Sequence, residues 1–275
     1  MSIDIRPITP TLGAEIFGAD VSRDDHFETI RQAFVDYGVI AVHGLELTPD
    51  EHLAFARRWG EINVNRFFKP VDGYPEIATV LKEPDQTRAI GEDWHTDHSY
   101  DEIPAMGSLL YAVETPDVGG DTAFASMNAA YLALSDGFRE LLDGLKAWHS
   151  SRHVFGADQA GSEAVQTGRT GNMDAATQDA CHPVVITHPL SGKRGIYVNR
   201  TFTTHIDGWT EEESAPLLNQ LYAHCARAEF TCRIRWKPGT LGMWDNRATW
   251  HKALNDYPGK RRLMHRITIE GVPLV

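Results

Sequence analysis

The sequence predicts a mainly β protein with helical insertions, a single sandwich or barrel domain spanning residues 1–275. Three observations carry this expectation. Short β-rich segments bounded by turn signals recur from Ile77 to the C-terminus. The breaks between them are Gly- and Pro-containing turns. The chain has 275 residues, and a prior of roughly one domain per 150 residues would suggest two. It shows no linker, repeat or low-complexity tract, however, and β barrels often reach this size as one unit.

In chain order, the N-terminal stretch alternates extended segments with one clear helix. From Asp24 to Tyr37, Phe27, Ile30, Phe34 and Val35 recur at helical spacing. Val39 to Val42 is a short apolar run, read as a buried strand. Thr48-Pro49-Asp50-Glu51 is a helix start, with Thr48 as N-cap, Pro49 in the first position and Glu51 closing a capping box. That helix is expected to run to about Trp59 and stop at Gly60. The segments IATVL (77–81), SLLYAVE (108–114), DTAFAS (121–126), PVVITHP (183–189), GIYVN (195–199), CRIRW (232–236) and RITIEG (266–271) read as strands. Residues 116–120, 189–192 and 237–239 are their turns. Ala129–Leu134, Phe138–Leu145 and Glu211–Ala226 read as helices. Residues 156–179 are polar and aperiodic, a long loop of the kind that often serves as a lid or binding loop.

Composition bounds the partners. Lys plus Arg is 26 and Asp plus Glu is 38, a formal net charge of −12. An acidic surface disfavours nucleic acid and anionic membranes, both polyanions, but not a small organic anion held by a few local arginines. No run approaches the roughly 20 apolar residues of a membrane span, and the first residues do not read as a secretory signal. Cys181, Cys225 and Cys232 form no Cys-x-x-Cys pair, and an odd count suits a reducing compartment. The expected location is cytoplasmic, with buried and unremarkable thiols.

The chemistry concentrates in three clusters. In Trp94-His95-Thr96-Asp97, extended backbone would turn the i and i+2 side chains the same way, placing an imidazole beside a carboxylate. That pair supplies two of the three ligands of a two-His, one-carboxylate triad, although a surface turn would carry the same tripeptide by chance. Trp244-Asp245-Asn246-Arg247 leads to Trp250-His251, and His251 could supply the third ligand if folding brings it to Asp97. Such a triad leaves positions open on Fe(II) for substrates and dioxygen. Residues 262–270 carry the β-branched run Ile267-Thr268-Ile269, which favours a strand. Alternation places Arg262, Met264, Arg266 and Thr268 on one face and Leu263, His265, Ile267 and Ile269 on the other. If the aliphatic face packs into the core, two arginines point together into the barrel mouth. If the arginine face is solvated, they are ordinary surface charges. Arginine suits a bidentate grip on a carboxylate.

WHTD, GGDT at Gly119 to Thr122, WDNRATWH and RRLMHR, in that order, resemble the TauD/TfdA family of Fe(II)- and 2-oxoglutarate-dependent dioxygenases. The resemblance runs from LGAEIFGADVS (Leu12 to Ser22) to EGV (Glu270 to Val272). It implies a double-stranded β-helix, a cupin-like jelly roll. It implies that His95, Asp97 and His251 bind iron, and that Thr122 and Arg262 hold the distal carboxylate of 2-oxoglutarate. It further implies that Arg266 grips the anionic end of the primary substrate. Related halogenases lack the carboxylate ligand, so Asp97 argues for hydroxylation. The implied reaction couples C–H hydroxylation by O2 to decarboxylation of 2-oxoglutarate to succinate and CO2. Where the hydroxylated carbon bears a heteroatom, a C–S, C–O or C–N bond breaks.

Substrate identity is less legible. Taurine dioxygenases of the family carry histidine where this chain has Asn65 and asparagine where it has Gly91, which argues against taurine itself. RRWGEINVN, IGEDWHTD and HVFG look more like aryloxyalkanoate dioxygenases. Phe67, Phe68 and Phe155 could line an apolar pocket or pack as core aromatics, with Phe155 the better pocket candidate because it precedes the long loop. Asn65 and Phe155 join Arg266 as expected substrate contacts. His98 is expected to face away from the metal, His265 to be a core histidine, and Trp94, Trp244 and Trp250 to pack around the metal motif. Self-association into a homo-oligomer is left open. The alternatives are a zinc hydrolase using the same triad, a taurine- or alkylsulfonate-type dioxygenase, and a catalytically silent cupin-like protein. A hydrolase needs a general base near the metal and has no use for an interior arginine pair.

Overall fold

A computed structural model describes residues 3–274. Met1, Ser2 and Val275 of the expected domain lie outside the described residues. The chain begins with strands β1 (Asp4–Pro7) and β2 (Ala14–Phe17), helix α1 (Asp24–Tyr37), β3 (Val39–Val42) and α2 (Pro49–Arg57). Short β4 (Ile62–Asn63) and β5 (Pro70–Val71) precede the long β6 (Tyr74–Lys82) and β7 (Gly107–Glu114). Next come β8 (Thr122–Ser126), α3 (Met127–Leu132), α4 (Asp136–Leu142), β9 (Lys146–Ser150) and the single-turn helices α5 (Arg152–Phe155) and α6 (Glu163–Gln166). Then follow β10 (Asp179–Pro183), β11 (Val185–Thr187), β12 (Arg194–Ile196), β13 (Thr203–Ile206) and α7 (Glu211–Cys225). The chain closes with β14 (Thr231–Ile234), β15 (Leu241–Asp245), β16 (Thr249–Ala253) and β17 (Arg262–Ile269).

Local chemistry explains several boundaries. Asp24 and Asp25 sit in the first turn of α1, where acidic side chains complement the helix dipole. In α2 the capping box forms in both directions, between Thr48 and Glu51. This helix ends at Arg57, two residues before the expected stop, in a tighter turn.

Nine strands form the main sheet, in the order β1-β2-β3-β15-β7-β17-β6-β5, with β4 paired to the end of β17. All of its pairings are antiparallel except β2 with β3. The small sheet β14-β8-β16 packs against it. Phe124, Cys232 and Ile234 of the small sheet share a core with Val39, Leu110 and Met264 of the main one. On the outer face of the main sheet, Phe34 of α1 and Phe55 of α2 pack with Ile267 and Ile269. The aliphatic face of β17 therefore lies under the helices, and its Arg262, Met264, Arg266 and Thr268 face points between the two sheets. A three-stranded sheet (β10-β9-β13) and the hairpin β11–β12 extend the molecule beside α3 and α7.

Two expectations need correction. Residues 156–179 are not structureless: they hold α6 and two three-residue 3-10 turns. Ser162 caps α6 by accepting from the Val165 amide, a local device that leaves no hydrophobic period. The WHTD segment is also not a strand: only His95 forms a bridge, and a turn begins at Asp97. No helix among the described residues is long and apolar enough to cross a membrane. All three cysteines are free, but only Cys225 and Cys232 are buried, and Cys181 is half-buried.

Candidate active site

His95 and His251 lie 156 positions apart, and an isolated antiparallel bridge joins them. The His95 amide donates to the His251 carbonyl at 3.1 Å, and the His251 amide donates back at 2.8 Å. Residues that exchange both bonds stand directly opposite each other, and the two rings lie 4.1 Å apart between centroids, tilted by 47°. Strand β16 holds His251 in register with Phe124 of β8. The His95 Nδ1–H donates to the Asp93 carbonyl at 2.8 Å, the tautomer that turns the Nε2 lone pair inward.

Asp97 completes the group. Its two carboxylate oxygens lie 3.7 Å from His95 Nε2 and 3.7 Å from His251 Nε2. The donor atoms of all three residues fall within 4.8 Å of one another. Two imidazoles and one carboxylate in this compactness suit a divalent first-row metal with open positions. Burial alone would raise the Asp97 carboxyl, but Arg266, His251 and His95 outweigh it and hold the group well below the usual carboxylate range. Burial, with the neighbouring His95, pushes the His251 imidazole well down, so it stays neutral and able to donate a lone pair.

Both arginines of β17 are buried beside this triad. The Arg262 Nε–H donates to the Gly120 carbonyl at 3.1 Å, and its Nη2 is buried with no partner. Among the described residues Arg262 forms no salt bridge, and burial lowers its pKa. A buried unpaired guanidinium is costly and calls for an anion. The Thr122 hydroxyl accepts from Trp236 Nε1 at 2.9 Å, which leaves its own hydrogen free to donate. Gly120 has φ 72°, and a Cβ there would come within 3.3 Å of Arg262 Cδ. The GGDT turn is therefore shaped around the arginine. Arg266 reaches Asp97 at 3.4 Å and stacks over Phe68 at 4.6 Å, with its Nε unpartnered.

One cavity of about 320 Å³ collects these groups. His95, Asp97, His251, Thr122, Arg262, Arg266, Asn65 and Phe155 all line it, so the structure brings every expected site residue together. Phe67 behaves as a core aromatic stacked on Phe155 at 4.2 Å, whereas Phe68 reaches the cavity. Asn65 is partly committed: its Oδ1 accepts from the Phe67 and Phe68 amides at 2.9 Å each, leaving only Nδ2 for a ligand. Gly91 has φ 79°, and a Cβ there would lie 3.0 Å from His95 Cε1. The tryptophans pack as expected, Trp244 against His251 at 4.6 Å and Trp94 near Trp250, and Trp244 also lines the cavity.

Two histidine expectations fail. His98 does not face away from the site: it lines the cavity, because left-handed backbone at φ 59° ends the alternation that would have turned it outward. Its Nδ1 lies 2.8 Å from Asp101, which Arg66 also grips at 2.7 Å. His265 is half-buried on the outer face of β17, and among the described residues no hydrogen bond satisfies its ring.

Sequence reasoning missed Ser108, whose hydroxyl donates to Asp97 Oδ2 at 3.0 Å. Its signal was a lone serine opening an otherwise apolar strand. It also missed Tyr100 and Phe202, cavity aromatics brought in from separate loops, and the buried contact of His188 with Asp245 at 2.9 Å. That contact spans 57 residues and has no local signature.

Fold and site together define a mononuclear metalloenzyme with a two-His, one-carboxylate group and an anion-seeking interior. The family model "Taurine catabolism dioxygenase TauD, TfdA family" matches residues 4–268, and the chain belongs to that family. It is an oxidoreductase of the 2-oxoglutarate-dependent dioxygenase class, whose cofactors are Fe(II), 2-oxoglutarate and O2. An α-ketoglutarate-dependent sulfate ester dioxygenase of Pseudomonas putida is 33% identical, over 98% of this chain and 90% of its own. An α-ketoglutarate-dependent 2,4-dichlorophenoxyacetate dioxygenase of Cupriavidus pinatubonensis is 30% identical, over 98% and 99%. Among solved structures, a putative α-ketoglutarate-dependent taurine dioxygenase from Burkholderia xenovorans superposes with a TM-score of 0.82. It is 32% identical, over 100% of this chain and 94% of that one.

Proposed function

We propose that this enzyme hydroxylates a C–H bond of a small organic anion, a carboxylate, sulfonate or sulfate ester carrying an apolar body. His95, Asp97 and His251 hold the iron, and Thr122 with Arg262 takes the distal carboxylate of 2-oxoglutarate. Arg266 takes the anionic end of the primary substrate, with Asn65 Nδ2 and Phe155 beside its body. The observation that carries this reading is the pair of buried arginines facing the triad in one cavity. Bound iron and 2-oxoglutarate supply dioxygen activation coupled to decarboxylation, giving succinate and CO2.

The protein's own residues do the rest. Ser108 and Arg266 fix the Asp97 carboxylate, and the Asp93 carbonyl fixes the His95 tautomer. Phe68, Tyr100, Phe155 and Phe202 exclude water and orient an aryl or alkyl group. Hydroxylation next to a heteroatom collapses to a carbonyl and cleaves an ether, C–S or C–N bond. The names of the relatives support this substrate class. Gly91 and the committed Asn65 argue against taurine, and a zinc hydrolase would have no use for the two buried arginines that face the triad. We read the two facing sheets as one double-stranded β-helix forming a single catalytic unit, and its free thiols fit a cytoplasmic location.

A succinate-release screen over aryloxy acids, alkyl sulfates, sulfonates and amino acids tests the reading. Release above the substrate-free background is expected with one of the apolar anions. Background release with all of them, or stimulation by amino acids alone, contradicts it.

A further inference from the structure

A second cavity of about 180 Å³ lies beyond the first, under the segment that follows α5. The two adjoin: Ala89, Ile90, Val154, Phe155 and Gln159 line both. Ala164 and Val165 of α6 form part of its far wall.

Two of the three polar side chains of this chamber, Gln159 and Ser162, are already engaged. Gln159 Nε2 donates to the His153 carbonyl at 3.0 Å, and the Ser162 hydroxyl caps α6. No charged side chain lines it. The wall is also anchored. Glu163 accepts from the Thr87 and Arg88 amides at 2.9 and 2.8 Å. Buried Arg169 donates to Glu163 at 3.2 Å and to the Arg88 carbonyl at 2.8 Å. A mostly apolar recess without a charged side chain rewards apolar surface and penalises a second charge.

We infer that this chamber is a tail subsite, receiving the distal apolar end of the same substrate whose anionic head sits on Arg266. The inference rests on the proposed function and extends it: the substrate is a monoanion with an extended alkyl or aryl tail, not a dianion. Phe155 and Ile90 form the neck between head and tail chambers.

Isothermal titration calorimetry on anaerobic protein loaded with Fe(II) and 2-oxoglutarate tests this, using n-alkyl sulfates from ethyl to decyl. Affinity should rise by about fourfold per added methylene and then level off once the second chamber is full. In Ala164→Leu and Val165→Phe, which fill the chamber from different positions, the plateau should arrive at shorter chains. The slope is read within each variant, so a loss common to all chain lengths does not affect it. A chain-length dependence identical in the wild type and both variants would overturn the tail subsite while leaving the proposed function standing. Silence from every member of the series, with aryloxyacetates also silent, would overturn the anionic-substrate reading and the inference with it.

Discussion

Arg262 and Arg266 stand four residues apart on β17, yet they meet different surroundings. Arg262 is an unpaired cation beside Thr122, and Arg266 lies against Asp97 and Phe68. Arg262→Ala should raise the 2-oxoglutarate requirement, and Arg266→Ala should chiefly weaken the primary substrate. Each loses a charge-assisted contact of roughly 1.5–3 kcal/mol, or about 10- to 150-fold in affinity. Steady-state kinetics in both substrates checks this, and exchanged effects would exchange the two roles. Asp97→Ala should abolish iron-dependent oxygen consumption, and activity that persists would remove Asp97 from the ligand set. Gly91→Ala forces left-handed backbone on alanine, a cost of about 1–2 kcal/mol, and crowds His95. Lower metal affinity by competition with a chelator is the expected outcome. At this scale the sequence was informative wherever a role is local: His95 and Asp97 stand two residues apart, and the arginines share one strand face. It was uninformative where a role depends on distant atoms, as with Ser108 on Asp97 or His188 on Asp245.

At the scale of elements, β17 settles what its alternation left open. The aliphatic residues Ile267 and Ile269 pack under α1 and α2, which leaves the arginines no direction but inward. Alternation defines the two faces, but only the position of the helices decides between them. The same interface carries an acid-sensitive group. His52 of α2 is buried with neither ring nitrogen paired, and burial with nearby His265 lowers its pKa to about 3. Its folded pKa lies below the unfolded value of about 6.5, so its neutral form stabilises the fold above that pH. Protonation of the unfolded chain removes that stability as pH falls from about 6.5 towards 3, by about 1.4 kcal/mol per unit. His52→Leu should flatten this part of the stability profile in urea melts at several pH values. An unchanged slope would show that another buried group dominates. The elements least legible in the sequence were the short helices after Phe155, because a single capped turn has no period to detect.

For the whole molecule, the net charge of −12 takes on a specific meaning. The overall field opposes anions, so an anion-using enzyme must concentrate positive charge inside. Here that concentration is Arg262 and Arg266 beside the metal position, enclosed by two sheets that the strand pattern anticipated. How the strands would order was hidden, because β17 pairs with β7 and β6, and β15 with β3, across separations that no local signal records. One cavity is expected to hold a metal and a chelating 2-oxo acid together. Anaerobic addition of Fe(II) and 2-oxoglutarate tests it most directly. A weak visible charge-transfer band should appear that requires both additions and is followed by succinate formation on admitting air. Absence of the band together with absence of succinate would contradict it.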